Sequence, residues 1–168
     1  MAKFQMKERI LTNAKSARLA EGTDAANATR ATQVTNNHGQ EEVGKFVKTN
    51  GESRFSLAAA GDQIEGFITS LEAAQVDGYT FGSVAGSVGD YKEVMFDGLQ
   101  ATPGTGTLVV GDRVVVGSVS AKGTALPGAV KVCKATTQTG MDYVWRVVSL
   151  GSAGTGAVGT VGTIERVS

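Results

Sequence analysis

Aromatic residues, cysteine, histidine and long apolar runs are all scarce in this chain, and each scarcity removes a class of chemistry. The one cysteine, Cys133, excludes an intrachain disulfide and any multi-cysteine zinc or iron–sulfur site, and is expected in a strand core. The one histidine, His38, lies in the polar turn Asn36-Asn37-His38-Gly39. A multi-histidine metal site is therefore excluded, and a Ser/His/Asp triad would have to use this residue. No apolar run approaches the ~18 residues of a membrane-spanning helix, and residues 1–20 lack the apolar stretch of a secretory signal. A membrane partner is not expected, and synthesis in the cytoplasm is. Sixteen basic side chains balance sixteen acidic ones, so the chain has no net field to draw it to nucleic acid. With aromatics at 6%, the core has to be built from Val, Ile, Leu and Ala, which suits thin β-layers.

Glycine is what the chain has in quantity, 23 in all, yet only Gly22, Gly39 and Gly44 precede residue 51. The chain accordingly divides into residues 1–40, an arm or short helix followed by an extended segment, and a β-rich domain over 41–168. In the arm, Phe4, Lys7, Ile10, Leu11, Ala14 and Arg18 recur at about one helical turn, which predicts a short amphipathic helix over 3–20 with a narrow apolar face. Residues 21–40 are rich in Ala, Thr and Asn and hold little to bury. Beyond residue 41, strand-like pieces at 46–47, 54–57, 63–69, 79–84, 91–96, 107–110, 113–119, 129–134, 143–150 and 163–167 alternate with glycine turns. That rhythm predicts an all-β fold, a small glycine-rich β-barrel or β-sandwich with an extended, partly helical N-terminal arm. Because the strand signals begin late, residues 1–30 are expected to be dispensable for folding.

Within 91–96, Val94 and Phe96 fall on one face, and Tyr91 and Glu93 on the other. The run Val114-Val115-Val116 does not alternate, as in a central strand or one covered on its second face by a neighbouring subunit. Gly61-Asp62, Gly89-Asp90 and Gly111-Asp112 each stand just before a strand. Glycine supplies positive φ and the aspartate accepts backbone N–H groups, so these are read as structural turns. The first and third lie fifty positions apart, a hint of a duplicated unit.

Catalytic signatures are sparse. Gly104, Gly106 and Gly111 lack the Gly-Lys-Ser/Thr ending of a phosphate loop. Glu65, Glu72, Asp77, Asp97 and Asp142 are the carboxylates whose pairing would be needed for glycoside hydrolysis. Tyr79, Phe81, Tyr91, Tyr143 and Trp145 are the rings available to a sugar platform, although Trp145 reads first as core or interface. No catalytic residue, cofactor-binding residue or metal ligand is assigned, and no enzyme activity is expected.

Ala60-Gly61-Asp62-Gln63-Ile64-Glu65-Gly66, then Gly82-Ser83-Val84, then Val110-Gly111-Asp112-Arg113-Val114-Val115-Val116 resembles the small β-barrel head decoration, or cement, proteins of tailed bacteriophages. The resemblance covers mainly residues 55–135. It implies a structural protein on the outside of an icosahedral capsid, binding the major capsid protein and stabilising contacts between its subunits. It also implies a homo-oligomer, with a trimer favoured, no cofactor and no direct nucleic-acid binding. Such families commonly place an extended N-terminal arm in the capsid contact. Phe4, Lys7, Arg9, Ile10, Leu11, Lys15 and Arg18, apolar anchors among basic groups, are the corresponding partner-binding candidates. The alternative is a glycan- or receptor-binding β module on a virion or cell surface.

Overall fold

Residues 8–9, 15–19, 42–49, 55–71, 80–118 and 130–168 are described by the computed structural model. They form β1 (Glu8–Arg9), β2 (Lys15–Leu19), β3 (Phe46–Thr49), β4 (Phe55–Leu57), β5 (Gly66–Leu71), β6 (Thr80–Ala85) and β7 (Tyr91–Leu99). There follow β8 (Thr102–Pro103), β9 (Thr107–Leu108), β10 (Arg113–Val116), β11 (Lys131–Lys134), β12 (Trp145–Ser149), β13 (Gly156–Ala157) and β14 (Val161–Arg166). Every segment expected to be a strand contains one, and no α-helix occurs among the described residues.

The strands make two curled sheets. In the larger, pairings run β7–β11–β10–β12–β14 and return from β14 to β7. β7 spans both sides of that ring. Its first half pairs antiparallel with β14, from Tyr91↔Glu165 to Met95↔Val161, and its second half pairs parallel with β11, from Met95↔Lys131 to Leu99↔Lys134. The smaller sheet joins β2, β4, β3, β5 and β6 in a second cycle of pairings, closed between β2 and β4 by the pair Leu19↔Phe55.

The helix expected over 3–20 is not what the described residues there form: Glu8–Arg9 and Lys15–Leu19 are strands. β2 lies antiparallel to β6 from Lys15↔Val84 to Leu19↔Thr80, and β1 lies along β7 at Glu8↔Lys92 and Arg9↔Tyr91. A short helix with a narrow apolar stripe gains little from packing, whereas a strand laid on an open edge satisfies backbone groups on both partners. Sequence periodicity does not register such a long-range edge.

One local device recurs through the fold. At 59–62, 87–90 and 109–112 the third residue is a glycine with φ of 86°, 88° and 94° (Gly61, Gly89, Gly111). The fourth residue's N–H returns to the first residue's carbonyl, Asp62 to Ala59, Asp90 to Ser87 and Asp112 to Val109, at 3.1, 2.9 and 3.1 Å. These are the positive φ and chain-reversing bond of a type II turn. Each turn then clasps one strand residue from both sides. Gly61 N–H donates to the Val116 carbonyl while the Val116 N–H donates to the Asp62 carbonyl. Gly89 and Asp90 hold Arg166 in the same way, and Gly111 and Asp112 hold Val147. The clasp also occurs at 42–45 on Ile68 and at 157–160 on Phe96, where Lys45 and Thr160 stand in place of aspartate.

The two sheets share a core. Phe46, Ala58, Ile64, Phe67 and Ala85 from the smaller sheet and its connector pack with Val94, Phe96, Leu108, Val114, Val116, Val132, Trp145, Val147 and Ile164. The buried Trp145 Nε1–H donates to the Ile64 carbonyl at 3.0 Å, and its ring meets Phe67 edge-on with centroids 6.2 Å apart. Trp145 is thus a core residue and contributes no face to a sugar platform. In β7 the alternation holds, but the buried face carries Lys92 together with Val94 and Phe96. Its ammonium lies 4.7 Å from the centroid of the Phe67 ring. Val114, Val115 and Val116 are all buried because β10 is central between β11 and β12. The second face, at Val115, packs with Cys133, Ala135 and Met141 of the same chain. Inside the smaller sheet Val47, Ile68, Leu71 and Val84 form their own cluster with Phe55 and Leu57.

Two expectations follow. Removing residues 1–19 takes β2 from between β4 and β6, so the thermal midpoint falls by about 5–10 °C, equivalent to roughly 2–3 kcal/mol in a domain of this size. An unchanged midpoint in a scanning calorimeter would contradict the placement of β2. At Gly111 a Cβ would meet no atom within 4 Å, so Gly111→Ala tests backbone strain alone. Urea titration should show a loss of about 1–2 kcal/mol, and equal stability would show that the turn does not need its glycine.

Candidate functional site

The Gly-Asp positions use their carboxylates locally. Asp62 Oδ2 accepts the Ala59 N–H at 2.7 Å, Asp90 Oδ2 the Ser87 N–H at 2.7 Å, and Asp112 Oδ2 the Val109 N–H at 2.9 Å. Each carboxylate therefore caps the first residue of its own turn. Asp62 additionally pairs with Lys48 at 2.7 Å and Asp112 with Lys134 at 2.8 Å, fixing the turns to neighbouring strands.

The densest polar cluster gathers on β7, β10 and β11 around Asp97, which is 5% exposed. Its Oδ2 accepts the Ser118 N–H at 2.7 Å, and its Oδ1 lies 3.6 Å from Lys131 Nζ. Lys131 Nζ also donates to Ser118 Oγ at 3.0 Å, and Cys133 Sγ lies 3.6 Å from the Asp97 carbonyl. Burial pushes the Asp97 carboxyl up, but the Ser118 N–H and hydroxyl and the Lys131 ammonium together outweigh it and hold it below the ordinary value of 3.8. Burial, reinforced by the Asp97 charge, pushes the Cys133 thiol up to about 11, so at neutral pH it is a protonated, poor nucleophile. The cluster ties Ser118, two residues past β10, to Asp97 of β7 and Lys131 of β11.

A second set of polar contacts joins the two sheets. Arg166 Nη1 donates to the Glu65 carbonyl at 2.9 Å and to the Gly86 carbonyl, and the guanidinium lies 4.9 Å from the centroid of the Tyr143 ring. Burial lowers the Arg166 pKa, opposed by Tyr143, Glu65 and Asp90. The Glu65 carboxylate holds the N–H and hydroxyl of Thr49 at 2.7 Å, and Gln63 Oε1 accepts the N–H groups of Asp142 and Tyr143 at 2.9 and 3.2 Å.

Of the partner-binding candidates, Phe4, Lys7, Ile10 and Leu11 lie outside the described residues, as do His38, Glu72, Asp77 and Tyr79. Arg9 lies in β1, and Lys15 and Arg18 lie in β2. Among the described residues no group of three or more His, Cys, Asp or Glu could hold a metal ion.

The surface feature that sequence reading missed is a set of exposed valines. Val43, Val88, Val110 and Val158 each occupy the second position of a clasping turn, with Val109 and Val161 exposed beside two of them. The available signal was the Val-Gly pair in each of those turns. Apart from Val43, whose turn clasps Ile68 of the smaller sheet, these valines fall at opposite ends of the larger sheet. Val88 sits where β7 begins and β14 ends, since its turn clasps Arg166; Val161 begins β14, and Val158 precedes it. Val109 and Val110 stand before the first residue of β10, whereas the turn containing Ala60 clasps its last residue, Val116.

No family model, curated protein or solved structure matches the chain.

The Asp97 cluster gives stability a pH signature. With a folded pKa below 3.8, its contribution is complete above that value and is lost as pH falls through the folded pKa, because the unfolded chain takes up the proton first. Asp97→Asn is therefore expected to be less stable at neutral pH, with the difference from the parent narrowing in acid. Unfolding free energies measured down to about pH 2 check this, and parallel curves for the two proteins would contradict it.

Proposed function

We propose that this chain is a non-enzymatic capsid decoration protein. It sits on the exterior of an icosahedral bacteriophage shell, binds the major capsid protein, and bridges neighbouring subunits as a homo-oligomer, with a trimer favoured. The observation that supports this reading is how the polar groups are used. Asp62, Asp90, Asp112 and Asp97 bind the protein's own backbone, while valines are turned outward at the turn tips. An arrangement that commits polar chemistry to internal anchoring and exposes small apolar contacts suits adhesion between proteins more than turnover of a substrate. In this reading each curled sheet acts as a small barrel, whose cycle of pairings leaves few open edges for strand addition, so contacts are made by turns and by the N-terminal segment. The turns that carry the resemblance, Gly61-Asp62 and Gly111-Asp112, are also the clasps that join or order the sheets.

The N-terminal segment supplies the test. Phe4 and Leu11 are its apolar anchors, and burial against a shell would contribute about 1.5–3 kcal/mol each, while basic groups favour encounter and register. Phe4→Ala with Leu11→Ala is expected to weaken attachment to purified shells lacking this protein more than neutralising Lys15 and Arg18 together, at low and at physiological salt. Absence of wild-type attachment would overturn the function. Unchanged attachment of the apolar double variant, with strong loss for the charge variant at both salts, would overturn apolar anchoring.

A further inference from the structure

Strand register draws one transverse row of residues across the larger sheet. Arg9 of β1 is opposite Tyr91 of β7, Tyr91 opposite Glu165 of β14, Glu165 opposite Arg146 of β12, and Arg146 opposite Arg113 of β10. Arg146 lies between the core residues Trp145 and Val147, and Arg113 beside the core residue Val114, so alternation turns both of these arginines outward. The row therefore holds three arginines and one acid. Glu165 Oε2 lies 3.6 Å from Arg146 Nη2, and the Arg146 side chain is still half exposed. Arg113, part-exposed, has no carboxylate partner among the described residues. Its chain neighbour Asp112 is committed to the Val109 N–H and to Lys134, and Glu93 lies one row away, opposite Thr163. The lysines of the fold are treated differently: Lys48, Lys131 and Lys134 each have an aspartate of their own, Asp62, Asp97 and Asp112.

Directly opposed residues of neighbouring strands have Cβ atoms about 4.5–5.5 Å apart, and like charges placed there destabilise a sheet. Arg113 and Arg146 are such a pair, sharing one carboxylate. Folds break a local rule of this kind mainly where function requires it. A guanidinium is a planar fork that grips a carboxylate through two parallel hydrogen bonds, and an anion set between two of them removes their repulsion. We propose that this face is a docking site for an acidic segment of a partner protein, a carboxylate of which joins Arg113 and Arg146. Nucleic acid fits the face less well, because a phosphate backbone calls for an unbroken basic stripe, and Glu165 interrupts this one. The inference deepens the proposed function by giving the contacting segment of the shell an acidic chemistry, and for the identity of that partner it rests on that reading.

Fluorescence anisotropy on the full chain at low salt tests it, with a labelled oligoglutamate peptide as probe and labelled oligothymidylate in a parallel series. The wild type should bind the peptide, and Arg113→Gln and Arg146→Gln should each raise its dissociation constant about threefold or more. Lys48→Gln, which removes the same charge from the smaller sheet, should leave it unchanged. Relief of the like-charge pair supplies a second readout. Arg113→Gln should raise the thermal midpoint at low salt by about 1–2 °C while weakening binding, and the same melt shows that the variant is folded. A wild type that ignores the peptide overturns the inference, as does a loss of affinity no greater in the two arginine variants than in Lys48→Gln. A lowered midpoint for Arg113→Gln overturns it by making the arginine structural, and tighter binding of oligothymidylate than of the peptide overturns it by assigning the face to nucleic acid. A protein that binds the peptide through both arginines yet fails to attach to shells sinks the shell reading and leaves the acidic docking site standing.

Discussion

The paired hydrogen bonds by which a glycine turn grips one residue of a distant strand are the constraint on which this fold depends. At Gly89-Asp90 and Gly111-Asp112 the grip extends an existing ladder, β7 with β14 and β10 with β12. At Gly61-Asp62 it does something different, since the turn belongs to the connector of the smaller sheet and the gripped residue, Val116, belongs to the larger. The same local geometry thus serves both to start strands and to tie sheets together. Glycine enables it through positive φ, and the aspartate fixes it by capping the first residue of the turn.

Those three turns were legible in the sequence because a Gly-Asp pair before a strand carries both halves of the chemistry. The turns at 42–45 and 157–160 were not, because Lys45 and Thr160 replace the aspartate and the clasp is made by backbone groups that any residue has. The strands of the β-rich portion were legible for a similar reason, being β-branched runs bounded by glycine. β2 was not: Lys15-Ser16-Ala17-Arg18-Leu19 has no local strand signature, and what makes it a strand is the edge of β6, more than sixty residues away. Lys92 shows the opposite case. Period-two alternation puts it on the face of Val94, and the fold sets its ammonium over the Phe67 ring.

Among the described residues, two of the carboxylates that sequence inspection nominates for chemistry, Glu65 and Asp97, hold the protein's own groups. Asp97 and Lys131 brace Ser118, Glu65 holds Thr49, and Arg166 links β14 to the connector. Trp145, the largest of the rings available to a ligand platform, closes the core instead, its indole N–H donating to the Ile64 carbonyl. Charge is divided unevenly along the chain, with none at all in 98–111 and 147–164. This division cannot be read from overall composition, because the balanced total of charges conceals that whole stretches hold none.

The connector around Ile64 and Glu65 has a temporal consequence as well. Trp145 reaches Ile64 across 81 residues and Arg166 reaches Glu65 across 101. Both belong to β12 and β14, so the smaller sheet leaves the ribosome long before the groups that lock it to the larger sheet exist. Contacts of such wide sequence separation are slow to form, because a large loop must close before they contribute. During synthesis the apolar faces of Phe46, Ile64 and Phe67 therefore lack part of their cover until Trp145, Val147 and Ile164 have emerged, an interval in which a nascent chain is exposed to pairing with the wrong neighbour.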